Sequence, residues 1–227
     1  MCTTPGKRNI PDDAIPHMQP SFSQEGEDRI LQRLFEIVPP QSRFYVDVGA
    51  HHPFRFSNTY LFYSLGWRGI NVDGTPGSMA AFDRLRPRDI NVECVVTDRP
   101  EPVFLDLYNE PALNSVHAER AARLPKDVFH VVERVRLHPR RLDDILTDHL
   151  PPNTTLDFLS VDVEGEDLAV LRSNDWARFR PSFVVVEDQE FRYDSATDSP
   201  IAAFLKSRNY RMRSKLGWSC IWTTLDF

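Results

Sequence analysis

Short apolar runs alternate along this chain with segments whose apolar residues recur every three or four positions. Residues 25–37 show the helical period. Ile30, Leu31, Leu34, Phe35 and Val38 share one side, Ser21 or Ser23 stands ready to cap it, and Pro39-Pro40 stops it. Phe44-Tyr45-Val46-Asp47-Val48 reads as a buried strand closed by Gly49. A helix over 58–65, a strand over 69–73, a helix ending near Leu85 and a strand over 90–96 follow, and 103–108 predicts a further short strand. Residues 109–130 give no clear period apart from a helix near 116–123. The pattern then resumes with strands over 131–137, 156–163 and 183–187 and helices over 142–149, 166–173 and 200–207. Segments 210–215 and 218–224 flank Leu216-Gly217 as a β-hairpin.

Strands and helices alternating in this way predict a mostly parallel sheet covered by helices on both faces, a Rossmann-like three-layer α/β sandwich. The closing hairpin adds one antiparallel strand, for seven in all. Residues 1–20, with Pro5, Pro11, Pro16 and Pro20, read as a flexible arm, and 21–227 as one domain with 109–140 inserted over the site.

Composition narrows the function classes. The net charge is −6 and the pI about 5.6, so the basic footprint of a nucleic-acid binder is missing and no nucleic-acid partner is expected. Cys2, Cys94 and Cys220 form no CxxC pair and are odd in number, which argues against a disulfide framework and for a reducing compartment. With no apolar run approaching a membrane span and no leader-like start, a cytoplasmic protein is expected.

The chemistry gathers at strand ends. Asp47, Asp73, Asp162 and the pair Glu187-Asp188 each finish a strand, and in open α/β sheets ligands sit at the carboxyl ends of strands. Asp47-Val48-Gly49-Ala50 has the form of a nucleotide-binding turn, where glycine lets the backbone approach the ligand. Asp73 stands where an acid accepts both ribose hydroxyls of a nucleoside; its plainer role is a turn former before Gly74. A dinucleotide also needs glycines that cradle its pyrophosphate, and Gly49-Ala50-His51-His52-Pro53 lacks the second and third. S-adenosylmethionine carries no phosphate and needs no cradle, so the loop favours methyl transfer over hydride transfer.

Several motifs in order resemble the FkbM family of methyltransferases: Ser23-Gln24-Glu25-Gly26-Glu27-Asp28, the strand through Ala50, Phe56-Ser57-Asn58-Thr59-Tyr60, Leu65-Gly66-Trp67-Arg68-Gly69-Ile70, and Asp157-Phe158-Leu159-Ser160-Val161-Asp162-Val163-Glu164-Gly165. The resemblance spans roughly 21–190. It implies a class I methyltransferase fold, S-adenosylmethionine as donor, and O-methylation of polyketides, sugars or polysaccharide precursors. It also implies that the stretch from Gln24 folds over the cofactor.

Candidate roles follow. Ser57 and Asn58 begin a helix whose amides can hold the methionyl carboxylate, and Thr97-Asp98, after the third strand, is the candidate for the adenine edge. A hydroxyl must lose a proton, to a base or with the help of a metal. Asp162, Glu187 and Asp188 are the candidate ligands for magnesium or manganese, with capping of a loop or pairing to Arg192 as the alternative for the last two. Asp162, His51, His52, His117 and Glu164 are candidate bases, and Glu164 and Glu166 also suit the first turn of a helix. The run Arg134, Arg136, His138, Arg140, Arg141 is either a solvated strand face or an attractor of anionic acceptors. The expected acceptor is a small molecule or glycan, and homodimers are common in this fold class. The competing readings are a non-catalytic scaffold that kept the fold and a nicotinamide oxidoreductase.

Overall fold

The computed structural model describes residues 11–117, 125, 127–194 and 198–224. Nine strands are seen among them: β1 (Phe44–Val48), β2 (Arg68–Asp73), β3 (Ile90–Glu93), β4 (Val103–Tyr108), β5 (Val131–Leu137), β6 (Phe158–Val161), β7 (Phe183–Glu187), β8 (Arg211–Leu216) and β9 (Ser219–Thr223). The α-helices are α1 (Glu27–Ile37), α2 (Tyr60–Ser64), α3 (Met79–Leu85), α4 (Leu142–His149), α5 (Asp167–Arg172) and α6 (Pro200–Ser207).

Seven strands form one sheet in the order β3-β2-β1-β6-β7-β9-β8. Neighbours from β3 to β7 pair parallel, and β9 runs antiparallel to both β7 and β8. The chain moves outward one way from β1 and returns to its other side with β6, so the β1/β6 boundary is the topological switch point. This is the sheet that the sequence pattern predicts, hairpin included.

Strand alternation divides the core between two faces. Phe44, Val46 and Val48 of β1 join Leu142, Ile145 and Leu146 of α4, Val170 and Leu171 of α5, and Ala202 and Leu205 of α6. Tyr45, Phe158 and Phe183 point the other way, against Leu31, Leu34 and Phe35 of α1 and Phe62 of α2. Aromatic rings fill that second face: Phe35 meets Phe62, Trp67, Phe158 and Phe183 with centroids 4.9–6.0 Å apart. Truncating one such ring costs about 3–5 kcal/mol.

The predicted elements differ from the observed ones mainly at their edges. Helix α1 starts at Glu27, after Gly26 in a left-handed conformation at its N-cap, and the Ser23 hydroxyl accepts the Gly26 N–H at 3.1 Å and, in the first turn, the Asp28 N–H at 3.4 Å. Strand β3 stops at Glu93, because the chain peels away and Val96 makes a lone bridge to Arg140. Strands β4 and β5 pair with each other in a separate two-stranded sheet. The helix expected near 116–123 falls mostly outside the described residues. Residues 12–17 form a 3-10 turn that buries nothing, and among the described residues no helix is long and apolar enough to cross a membrane.

Candidate active site

At the carboxyl ends of β2, β1 and β6 lies an open cleft of about 120 Å³, to which Asp47, Gly49, Ala50, His51, Asp73 and Asp162 contribute. Gly49 turns the chain out of β1 with φ of +83°, and a Cβ there would overlap the carbonyl oxygen of Asp162 on the neighbouring strand. The tight crossing at the switch point therefore requires glycine. Asp73 is 8% exposed and accepts the backbone N–H groups of His51 at 2.9 Å and Thr75 at 2.8 Å, which fixes its carboxylate at the cleft wall. Asp73 is thus both the turn former and a cleft acid.

Asp47 is held from below. It accepts the Thr59 hydroxyl at 2.7 Å, and Thr59 is itself bonded by the guanidinium of Arg86 at 3.0 Å. Burial raises the Asp47 pKa, while the Thr59 hydrogen bond and the charge of Arg86 oppose the rise. Asn58 lines the cleft and donates to the Ser160 hydroxyl at 3.1 Å. Gln24 lines it too, from a segment tied to the β8–β9 turn. There Glu25 accepts the Trp218 N–H at 2.9 Å and Glu27 accepts the Ser219 hydroxyl at 2.7 Å.

A second group of acids stands where β6 and β7 end. Asp162, Glu164 and Glu187 offer carboxylate oxygens within 4.8 Å of one another. Asp162 is exposed at the cleft that it lines. Desolvation, then the charges of Glu187 and Glu164, push its pKa well above the ordinary carboxylate range. Burial and Glu187 likewise push Asp167 up to about 7, against the backbone N–H groups of Val163 and Gly165 that it accepts.

Other residues expected at the site have partners of their own. Asp188 does not join the carboxylate group: its oxygens accept the Phe191 N–H at 3.0 Å and the Ser199 hydroxyl at 2.5 Å, so it caps the loop before α6, and Glu164 takes its place. Arg192 pairs with neither Glu187 nor Asp188, since its guanidinium donates to the carbonyls of Gln189 and Phe191. The Thr97 hydroxyl is spent on buried Glu166 at 3.2 Å, and neither Thr97 nor Asp98 lines the cleft; Cys94, Val95 and Val96 do. Ser57 is buried, outside the lining, and accepts the Thr59 and Tyr60 N–H groups as an ordinary helix-start residue.

The histidines separate. His51 lines the cleft, and desolvation lowers its pKa, so it is neutral at pH 7. Its Nε2 faces the Arg55 guanidinium at 3.3 Å; arginine only donates, so this nitrogen accepts and Nδ1 carries the proton. His52 accepts the Phe54 and Arg55 N–H groups through Nδ1 and serves the turn. His117 bonds Glu166 at 2.8 Å and the Gly165 carbonyl at 3.1 Å and lines a larger neighbouring cavity, not the cleft. Glu166, read from sequence as a first-turn acid, is the buried hub that also binds Arg99 at 2.6 Å. Arg134, Arg140 and Arg141 pair with Asp106, Asp148 and Asp143, so the basic run is largely neutralised.

The methyltransferase FkbM domain model matches residues 47–212. The chain belongs to the FkbM methyltransferase family. The matched stretch begins at Asp47, near the end of β1, and contains the cleft acids and both strands that carry the second carboxylate group. Among solved structures, the apo TDP-rhamnose 3'-O-methyltransferase CalS11 of calicheamicin biosynthesis is similar at 14% identity over 97% of this chain and 89% of that one, with a TM-score of 0.43. The small RNA methyltransferase HEN1 is similar at 15% identity over 90% of this chain and 26% of that one, with a TM-score of 0.36. No curated protein sequence matches the chain.

Proposed function

We propose that this FkbM-family chain is an S-adenosylmethionine-dependent O-methyltransferase that methylates a hydroxyl of a sugar or glycan, in the cytoplasm. The observation that carries the reading is the acid-lined cleft at the switch point, built on Gly49 and without a phosphate cradle. Asp47, Asp73 and Asp162 repel a pyrophosphate but suit a donor with a sulfonium, an ammonium and two ribose hydroxyls. Asp73 is the acid for the ribose, and Asp47, Asn58 and Gln24 surround the methionyl end. The donor supplies an activated methyl group for in-line displacement, so the chain mainly positions the reactants.

The carboxyl of Asp162 has its pKa raised, with desolvation and the charges of Glu187 and Glu164 disfavouring its ionised form. It is suited to take the proton of an acceptor hydroxyl. Asp162, Glu164 and Glu187 are also the residues that would hold magnesium or manganese. Magnesium–oxygen distances of about 2.0–2.1 Å set ligand oxygens at most about 4.2 Å apart, and the three carboxylates, with oxygens within 4.8 Å of one another, group close to that spread. When bound, such an ion supplies Lewis acidity that lowers the pKa of a hydroxyl.

Calorimetric titration of S-adenosylmethionine, with magnesium or with chelator, tests the reading. Asp73→Asn is the control, since alanine would also strip the partners of the His51 and Thr75 amides. Micromolar binding, weakened at least tenfold in Asp73→Asn, is expected. Absence of binding by well-folded protein would leave the scaffold reading in its place, and turnover insensitive to chelator would remove the metal.

A further inference from the structure

Beside the cleft, on the other side of Glu164, lies a larger cavity of about 690 Å³. Glu164 lines both, and Gly165 and Asp167 carry the wall onward from the carboxylate group. A molecule seated in this cavity therefore meets the β6 end from the side opposite Asp73.

Two features of its lining identify what it would hold. The first is Trp218, at the tip of the β8–β9 hairpin, which lines the cavity and is 56% exposed. The chain's other tryptophans, Trp67, Trp176 and Trp222, are 6%, 5% and 0% exposed. The hairpin tip is not loose: Glu25 accepts the Trp218 N–H, and a side chain at Gly217 would collide with Glu25. An indole on a fixed backbone beside a cavity offers an apolar face to the C–H surface of a ring while its neighbours remain wet. The second feature is charge. Glu164, Glu187 and Glu190 line the cavity with Gln189; His117 lines it too, with its Nε2 held by Glu166 at 2.8 Å, and among the described residues the lining has no lysine or arginine. Carboxylates and amides accept and donate to vicinal hydroxyls, and they repel phosphate.

We propose that this cavity is the acceptor site, that Trp218 is its stacking platform, and that it takes a neutral or amine-bearing sugar ring rather than a phosphorylated or nucleotide-linked one. The proposal rests on the methyltransferase reading for its choice of the word acceptor, and its test does not use turnover.

Because the other tryptophans are buried, acrylamide quenching of intrinsic fluorescence reports chiefly on Trp218. Methyl glucoside, methyl rhamnoside and methyl glucosaminide, titrated in buffer without divalent cations, are expected to lower the quenching constant at least twofold. Glucose 1-phosphate should need at least tenfold higher concentration for the same protection. By saturation-transfer NMR, Trp218→Ala should weaken glycoside binding at least tenfold and Trp218→Phe less than threefold. Both variants should keep wild-type affinity for S-adenosylmethionine by calorimetry. Equal or stronger protection by glucose 1-phosphate would overturn the sugar class. No protection by any glycoside, with donor binding intact, would overturn the site and leave the methyltransferase reading standing. Protection by neutral glycosides in a protein that binds no donor would support the cavity and sink the donor reading instead.

Discussion

Arg86 offers the sharpest test of how the cleft is held. Its side chain and that of Asp89 are both fully buried, and they pair at 2.8 Å. The guanidinium also donates to the Tyr45 hydroxyl at 2.7 Å, the Thr59 hydroxyl at 3.0 Å and the Pro53 carbonyl at 3.3 Å. Asp89 in turn accepts the Gly69 N–H at 2.8 Å and the Asn71 amide at 3.0 Å, which ties β2 to the same centre. One cation thus fixes the loop after β1, and through Thr59 it fixes Asp47. Moving it from water costs several kcal/mol, so the network as a whole adds little net stability over an apolar core. Breaking it is another matter. Arg86→Met leaves the Asp89 carboxylate buried without its cation, an expected loss of about 3–5 kcal/mol. At about 2–4 °C per kcal/mol for a domain of this size, the melting temperature should fall by roughly 6–20 °C. Arg86→Lys keeps the charge, but a compact ammonium cannot reach acceptors spread in the plane of a guanidinium, so it should recover only part of the loss. Urea titration followed by tryptophan fluorescence measures the effect. Adding Asp89→Asn to Arg86→Met removes the stranded charge, and the double variant should be less destabilised than the sum of the two singles. A loss under about 1 kcal/mol in Arg86→Met, or strict additivity, would refute the account of a buried charge stranded by its partner's removal.

Other outcomes separate the site from its scaffold. Gly49→Ala puts a Cβ into the Asp162 carbonyl at a φ of +83°, so it should lower stability by about 2 kcal/mol and donor affinity at least tenfold by calorimetry. Asp157 is 1% exposed and accepts the N–H groups of Gln41, Ser42 and Phe44 at 2.6, 3.1 and 3.0 Å, at the sheet end away from the cleft. Asp157→Asn should therefore cost about 3 kcal/mol in urea titration and leave the donor affinity of the folded protein unchanged. Asp167 has a carboxyl raised from 3.8 to about 7 in the folded state, so the native protein holds its proton where the unfolded chain has lost it. Between those two pH values its contribution to stability falls as pH rises. The stability of wild type minus that of Asp167→Asn should decline across the window, and a difference flat in pH would contradict it.

The sheet was legible because its signals are strong and local. Phe183-Val184-Val185-Val186 is an uninterrupted apolar run, and Leu216-Gly217 marks a hairpin between two alternating segments, so β7, β8 and β9 follow from pattern alone. The acids at strand ends were legible for the same reason: a charged residue after a buried run stands at the rim. What pattern does not carry is the partner of a side chain. Asp188 follows Glu187 in sequence and reads as equally free to bind an ion, but Ser199 returns in space to claim it. Thr97 looked available until Glu166, far along the chain, took its hydroxyl. Arg86 gives no sequence signal at all. It sits at the end of an amphipathic helix, where an arginine is ordinarily solvated, and only the return of β1 and α2 encloses it. Strands β4 and β5 were legible as strands, but their pairing in a separate sheet was not, since period-two alternation fixes no neighbour.

Backbone strain points to the same place by an independent route. Among the described residues, six other than glycine have positive φ: Arg43, His51, Phe56, Asn153, Glu164 and Asn209. Asparagine tolerates that region, which accounts for two of them. Of the remaining four, His51, Phe56 and Glu164 all line the cleft, with φ of 52°, 57° and 57°. Each such residue costs of order 1–3 kcal/mol, and the fold gains nothing from spending it in one small region unless the side chains must point where relaxed backbone would not send them. Arg86 helps to sustain the cost, since it grips Pro53 and Thr59 on either side of Phe56. Glu164 is the clearest case: its strained conformation sets its side chain at the wall shared by the cleft and the larger cavity. Three of these four strained residues stand where donor and acceptor would have to meet, and Arg43, ahead of β1, is the exception.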